Sequence, residues 1–348
     1  MENIFEISVV LCVYNMQSYV QNAIQSILAQ EGVGFEFIIV DDASTDNSLS
    51  IITELTKNIS HVRVVPLPHN QGLAGALNTV IPHIRSPLTA LMDADDVALP
   101  GRLAAQRGFM AANPDVDVLG GSMLLMTSDG SPYTPDMHIC RIGPETLGWL
   151  LMFENTMCNP TMMIRTNFLK RFPYSNDPVF RYCVDYELWS RMNVVARFDN
   201  LQLPLVRYRR HDKQGSVTYL ENQNQAALEC ARWSLSTLLE EDISSIDALI
   251  LRESRHHIIP LEPGVYARYT ELLSRLFCKY IQRVEHIRQI KLLGPVGNQL
   301  NATIQDLSIR ISNLVQGAGL SPEQTLNEIR TQLGKLSSLI ATSNPPAS

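Results

Sequence analysis

At 348 residues, with 45% apolar and 18% charged side chains, the chain has room for two globular domains and is too apolar to be a disordered one. A formal net charge of −7 excludes the basic stripe of a nucleic-acid-binding surface, so no nucleic-acid partner is expected. The six scattered cysteines form no Cys-x-x-Cys pair, which argues against a zinc site or a redox dithiol and suits a reducing compartment. No stretch approaches ~20 uninterrupted apolar residues. The first residues carry Glu2 and Glu6 where a leader would carry basic ones. The expected location is the cytoplasm, at most peripheral on the inner face of the membrane.

The run at 7–13 is apolar and β-branched and predicts a buried parallel strand, followed by a helix through Val20, Ile24, Ile27 and Leu28. A second strand, 35–40, stops at Asp41-Asp42, and Asp46 is placed to cap a helix over 48–56. A third strand at 62–66, a turn at Asn70-Gln-Gly72 and a helix over 73–84 come next. The fourth strand, 88–92, again ends in acid, at Asp93-Ala-Asp-Asp96. This strand–helix rhythm predicts an α/β fold, a Rossmann-like, mainly parallel sheet flanked by helices. Such sheets bind ligands at the carboxyl edge of their strands, where Tyr14, Asp42 and Asp93 fall.

Further on, strands are expected at 116–126, 161–165 and 204–208, and helices at 145–153 and 185–195. From about 220, strand alternation disappears. Segments at 221–241, 244–256, 264–290, 297–316 and 322–341 fit amphipathic helices separated by Pro and Gly. The expected division is a domain over 1–217, an all-helical C-terminal region over 218–342, and a disordered tail over 343–348. The apolar stripe through Leu272, Leu273, Leu276 and Ile281 reads as packing or as a homo-oligomer contact. Lys279, Arg283, Arg288 and Lys291 read as a solvated face or as a contact with anionic lipid.

Crowded carboxylates at 93–96 repel one another unless a cation joins them. Mg²⁺ and Mn²⁺ take oxygen ligands and share their shell between carboxylates and substrate phosphates. An isolated Asp-x-Asp is more often a turn and helix cap, but a position at the carboxyl edge of a sheet favours the metal. Asp42 can accept from a base imide or ribose hydroxyls, or can form an Asx turn; locally both readings stand. Tyr14 can stack on a nucleobase or pack at a strand end, and nothing local decides.

Ser8-Val-Val-Leu-Cys-Val-Tyr-Asn15, Val40-Asp-Asp-Ala-Ser-Thr-Asp46, Asn70-Gln-Gly-Leu-Ala74 with Asn78, and Asp93-Ala-Asp-Asp96 resemble, in order and spacing, the family 2 glycosyltransferases. The resemblance covers roughly residues 5 to 217. It implies the GT-A fold, a nucleotide-diphospho-sugar donor, a divalent metal (Mn²⁺ or Mg²⁺) and inversion at the anomeric carbon. Tyr14 would lie against the base, and Asp42 would bond it, with Asp41 and Asn70 in the same pocket. Asp93, Ala94 and Asp95 would meet the donor, Asp93 on the ribose side and Asp95 at the metal, while Asp96 caps the next helix. Val184-Asp-Tyr-Glu-Leu-Trp189 resembles the motif that carries the family's general base, which makes Asp185 the candidate; Val184 stands where an acid is usual. The loop Arg207-Tyr-Arg-Arg-His211 resembles the family's late loop, which places His211 in the metal shell and Arg209 at phosphate. Asn159, before Pro160, would line the acceptor side.

The acceptor is expected to be a glycan, a lipid-linked glycan or a protein, and uridine is the favoured base. A nucleotidyltransferase or dinucleotide enzyme would need a Gly-rich loop after the first strand, where the chain reads Tyr-Asn-Met-Gln-Ser18. The remaining alternative is an inactive nucleotide-sugar-binding scaffold on the same fold, which Val184 keeps open.

Overall fold

A computed structural model describes residues 5–212, 214–253 and 263–291. The described chain forms two compact units. One comprises the residues up to 142 together with 155–226; the other comprises 143–154 together with the residues from 227 on.

The first unit is built on one sheet. Its opening elements are β1 (Ile7–Val13), α1 (Val20–Leu28), β2 (Phe35–Asp41), α2 (Ser48–Thr56), β3 (Val62–Pro66), α3 (Gly72–Val80) and β4 (Leu88–Asp93). They are followed by β5 (Val97–Ala98), α4 (Arg102–Ala112), β6 (Val118–Met126) and β7 (Pro132–His138). The described strands lie in the order β3-β2-β1-β4, then β8 (Met163–Arg165), β6, β9 (Phe198–Arg209) and β5, with β7 on β6. β3, β2, β1 and β4 run parallel; β8 is antiparallel to both β4 and β6. The sheet is therefore mixed, and parallel in the half that carries the first four strands.

The parallel half follows directly from its sequence. Ile7, Val9, Leu11 and Val13 face α1, α2 and α4 in one core, and Val10, on the opposite face, is equally buried. Strands covered on both faces require nearly continuous apolar runs, which 7–13 and 35–40 supply apart from Ser8 and Glu36, which hydrogen-bond each other. The second half was less legible. β9 extends over twelve residues where only 204–208 were expected. Asp199, Asn200 and Gln202 break its alternation, and its pairing with β6 slips around Gly121 and Ser122, opposite Leu201 and Pro204. A bulge tolerates a proline that has no N–H for the ladder. The remaining elements of this unit are α6 (Thr166–Arg171), α7 (Val184–Met192) and α8 (Gly215–Thr218).

The second unit holds α5 (Pro144–Leu150), most of α9 (Leu220–Leu239), α10 (Ser245–Glu253) and α11 (Pro263–Lys291). The sequence division at 217/218 thus differs from the structural one, because residues 143–154 group with the later helices. Trp149 explains why: its ring meets Phe153, Phe277 and Tyr280 edge-on, and the Tyr280 hydroxyl donates to the Glu145 carbonyl. Leu272, Leu273, Leu276 and Ile281 are buried in this same cluster, so the stripe is used in packing within the unit. Arg283 lies over the Tyr280 ring, 5.1 Å from its centroid. The helices expected at 297–316 and 322–341, and the tail, fall outside the described residues. No described helix is long and apolar enough to cross a membrane.

Candidate functional site

The carboxyl ends of β1, β2 and β4 carry the site. Immediately after β1 and β2, Asn15 and Ala43 adopt the left-handed conformation, with φ of 54° and 58°. That backbone costs an L-residue of order 1 kcal/mol and persists only where neighbours over-determine it. Here they do. Asn15 N donates to Ser44 Oγ at 3.1 Å, and Thr45 N donates to Asn15 Oδ1 at 2.8 Å. Gln17 N reaches Asp46 Oδ2 at 3.1 Å, and Met16 N reaches Ser48 Oγ at 2.8 Å. The two loops are laced into one rim, and Tyr14 stands on it 44% exposed, so its ring face is open to a ligand.

Asp41 and Asp42 are both buried. Asp41 Oδ2 accepts from Ser44 N, while Oδ1 has no partner among the described residues. Asp42 accepts from Gln71 N at 2.7 Å and Gly72 N at 2.9 Å, one amide on each oxygen. The Asn70 side chain donates to the Asp42 carbonyl at 3.2 Å. Asp42 therefore ties the β2 end to the start of α3 and brings Asn70 beside it. Burial raises its carboxyl above the ordinary range, and the two amides work against that rise.

Asp93, Ala94, Asp95 and Asp96 follow β4. Burial, the Asp95 charge and, further off, Asp185 push Asp93 up to about 7, against a hydrogen bond from Asn159 Nδ2 at 3.0 Å. Burial with Asp95 and Asp93 holds Asp96 well above the carboxylate range. Asp96 accepts from Arg209 N at 2.8 Å, and its second oxygen is buried without a partner. Beneath the cluster lies Arg102, fully buried at the start of α4, donating to the Leu91 carbonyl at 2.7 Å. Burial lowers its guanidinium to about 10, while the charges of Asp93 and Asp96 support its protonated form.

The loop after β9 closes the site. His211 Nε2 lies 3.0 Å from Asp95 Oδ2, across 116 residues of sequence, with side chains only 7% and 14% exposed. The His211 ring packs on Tyr19. Arg209, expected at the diphosphate, is placed differently: it is 2% exposed and turned to backbone carbonyls, with Nε 2.7 Å from Asp95 O and Nη1 3.0 Å from Ser128 O. Its guanidinium also lies 4.7 Å over the Tyr19 ring. A side chain so engaged supports the acidic loop from below and does not face an open phosphate position.

Asp185 starts α7, and its Oδ2 accepts from Asn155 Nδ2 at 2.8 Å. Burial raises this carboxyl, with backbone amides and Asn155 opposing. Glu187, the other nearby acid, makes a bidentate ion pair with Arg191 at 2.6 and 2.8 Å. Val184 is buried. Asn159 donates through Nδ2 to Asp93 Oδ1. Sequence reasoning missed Arg102 and Asn155; an arginine at the first position of α4, ahead of the buried Leu103, Gln106 and Met110, was the one local signal available for the first.

Asp95 and His211 form a carboxylate–imidazole pair suited to a divalent cation. Among the described residues no cluster of three or more His, Cys, Asp or Glu side chains is gathered closely enough to hold one alone. A cation here needs further oxygens from its ligand, and this donor set fits an ion that shares its shell with phosphate.

The glycosyl transferase family 2 profile matches residues 8–171. A Haemophilus influenzae uncharacterized glycosyltransferase is 28% identical over 265 residues, 74% of this chain and 82% of the relative. The Escherichia coli O-antigen biosynthesis glycosyltransferase WbnJ is 31% identical over 244 residues, 68% of this chain and 89% of the relative. Among solved structures, S. aureus TarS 1–349 in complex with UDP covers 97% of this chain and 92% of its own, at 16% identity and a TM-score of 0.53. The mixed sheet, its flanking helices and the helical C-terminal region thus form a GT-A fold. With its motifs in order and its relatives matched along most of their length, the chain is a glycosyltransferase and belongs to glycosyl transferase family 2.

Proposed function

We propose that the enzyme is a metal-dependent, inverting transferase that moves a hexosyl group from a nucleotide diphosphate to an acceptor hydroxyl in surface-glycan synthesis. The observation that carries this is the Asp95–His211 contact at 3.0 Å, beside an Asp93 whose carboxyl feels Asp185. The E. coli relative's role in O-antigen biosynthesis supports the glycan setting. Crystal structures of TarS with UDP and with UDP-GlcNAc support uridine as the base.

In this reading Tyr14 stacks on the base. Asp42 keeps a lone pair on each oxygen for the base imide, with Asp41 and Asn70 holding the pocket. Asp93 and the Ala94 backbone meet the ribose side. Asp95 and His211 hold the cation, and the imidazole favours Mn²⁺ over Mg²⁺. When bound, the metal supplies positive charge against the diphosphate leaving group. Asp185 takes the proton from the acceptor hydroxyl as it attacks the anomeric carbon. Its raised pKa suits that task, because a stronger base accepts the proton more readily near neutral pH. Arg209 is reassigned to positioning: it fixes the Asp95 backbone and, through Asp96, the acidic loop. The first unit is the catalytic domain, and the helical unit is the candidate contact for acceptor, partner or a second copy. The acceptor is a glycan, lipid-linked or protein-borne.

A thermal-shift series with UDP, GDP and their sugars, with and without Mn²⁺, tests the donor site. Stabilisation by a nucleotide that needs Mn²⁺ and disappears in Asp95→Ala is expected. Equal stabilisation of both proteins, or none by any nucleotide, overturns the reading.

A further inference from the structure

The first unit opens into a cavity of about 570 Å³ between α3 and residues 175–184. That volume lies within the ~300–1,000 Å³ range of small-ligand sites. α3 lines it with Gly72, Ala74 and Gly75, whose side chains are too short to fill it. Its walls include Gly72, whose N–H is bonded to Asp42, and Val184, the residue before Asp185. A ligand held there lies beside the nucleotide pocket and within a residue of the proposed base. Tyr14, Asp93, Asp95 and His211 are not among the walls, so this is not the space assigned to the stacked base and the cation.

Most polar side chains of the lining are already committed. Asn70 donates to the Asp42 carbonyl, and Asn78 exchanges two hydrogen bonds with the Tyr174 backbone. Thr79 Oγ1 donates to the Gly75 carbonyl, and Ser175 Oγ accepts from Asp177 N. Arg181 is not committed. Among the described residues its guanidinium has one contact, the face of Tyr182, at 5.8 Å from the ring centroid. Tyr182 in turn stacks on Tyr219, with ring centroids 3.8 Å apart. A cation held over a ring is oriented yet keeps its N–H donors free. Asp177, in the same wall, accepts from Val179 N through Oδ1 and makes no ion pair with Arg181. Val184 is buried and adds no negative charge.

We infer that this cavity is the acceptor subsite and that it takes an acidic sugar: Arg181 pairs with a carboxylate or phosphate on the acceptor, and Asp177 Oδ2 accepts from one of its hydroxyls. The inference rests on reading Asp185 as the base, and it adds the chemical class of the acceptor. The guanidinium fork matches the paired oxygens of a carboxylate or phosphate. A neutral sugar could use the amides of Gln71 and Asn176 but would leave the cation without a counter-charge. A cation and an acid kept apart in one wall are both satisfied by a ligand that carries an anion and hydroxyl donors together.

Arg181→Gln removes the charge and keeps an amide. Arg181 is exposed and makes no ion pair among the described residues, so the melting temperature should not change. The full chain is saturated with UDP in Mg²⁺, since Mn²⁺ would broaden the NMR signals. Methyl glucoside, methyl glucuronide and glucose 1-phosphate, with their galacto counterparts, are then titrated by saturation-transfer NMR. At least one acidic sugar should bind about tenfold tighter than its neutral counterpart and lose that advantage in Arg181→Gln. The anion it carries tells a uronate acceptor from a sugar phosphate. The neutral sugar and UDP should bind both proteins equally. Equal binding of acidic and neutral sugars to wild type overturns the inference. So does an acidic preference that survives in Arg181→Gln, or no binding by any acidic sugar. A UDP affinity that falls in Arg181→Gln also overturns it, because the cation then serves the donor. If UDP binds wild type in neither Mg²⁺ nor Mn²⁺, the donor-site reading itself fails. If Asp185→Asn transfers at full rate, the base reading fails, and the sugar titrations still judge the subsite.

Discussion

Two strands of the same parallel half end in the same way, in adjacent aspartates, yet the fold treats them oppositely. At β2, Asp42 receives one backbone amide on each oxygen, and the two amides work against the rise that burial imposes. At β4, burial and the Asp95 charge raise both Asp93 and Asp96, and Asp96 keeps one oxygen buried without a partner among the described residues. Buried Arg102 below offsets only part of that charge, and the His211 ring lies opposite Asp95. In the first cluster both Asp42 oxygens are partnered, and Asp41 Oδ1 lacks a partner among the described residues. The second is short of positive charge, which is the electrostatic signature of a site completed by a cation.

Four experiments break or sharpen this contrast. Asp185→Asn tests whether either cluster serves a reaction at all: transfer should fall ~10²–10⁴-fold with UDP binding retained. Unchanged transfer would remove Asp185 from the role of general base. Asp95→Ala should lower metal-dependent turnover on the order of 10²–10³-fold and abolish the Mn²⁺-dependent binding of nucleotide. In metal-free protein, Asp95→Asn should leave the melting temperature unchanged or raise it, because it relieves like-charge crowding.

Asp42→Asn should do the reverse in stability. An amide can accept only through its oxygen, so one of the two backbone N–H groups meets an NH₂, costing about 1–3 kcal/mol. A calorimetric scan showing a drop of several degrees in Asp42→Asn but none in Asp95→Asn supports the contrast; equal drops dissolve it. The smallest effect is expected for Asn155→Ala. Burial raises Asp185 and Asn155 lowers it, so removing Asn155 moves the acid limb of the pH–rate profile to higher pH. The base must be deprotonated, so the rate is lost on the acid side of that limb. For stability the sign is opposite. The fold favours the protonated carboxyl, so stability falls as pH rises from the ordinary carboxylate range to the raised one.

The sequence made β1, β2 and β4 legible because each is buried on both faces, and a nearly continuous apolar run admits few other readings. It also placed Tyr14, Asp42 and Asp93 on one edge, since parallel strands put their carboxyl ends on the same side. It could not show that residues 143–154 join the later helices, because an amphipathic helix does not declare which apolar surface it will meet. Nor could it separate Arg209 from His211, two residues apart on one loop. Only the tertiary structure turned one toward carbonyls and the other toward Asp95.

The sequence by itself determined the family, the parallel half of the sheet and the acidic edge, because these rest on local pattern and strand direction. Tertiary structure alone decided what each acid does. A carboxylate's role depends on whether amides, cations or other acids surround it, and the neighbours that separate Asp42 from Asp95, the Gln71 and Gly72 amides and the His211 ring, come from 29 to 116 residues away.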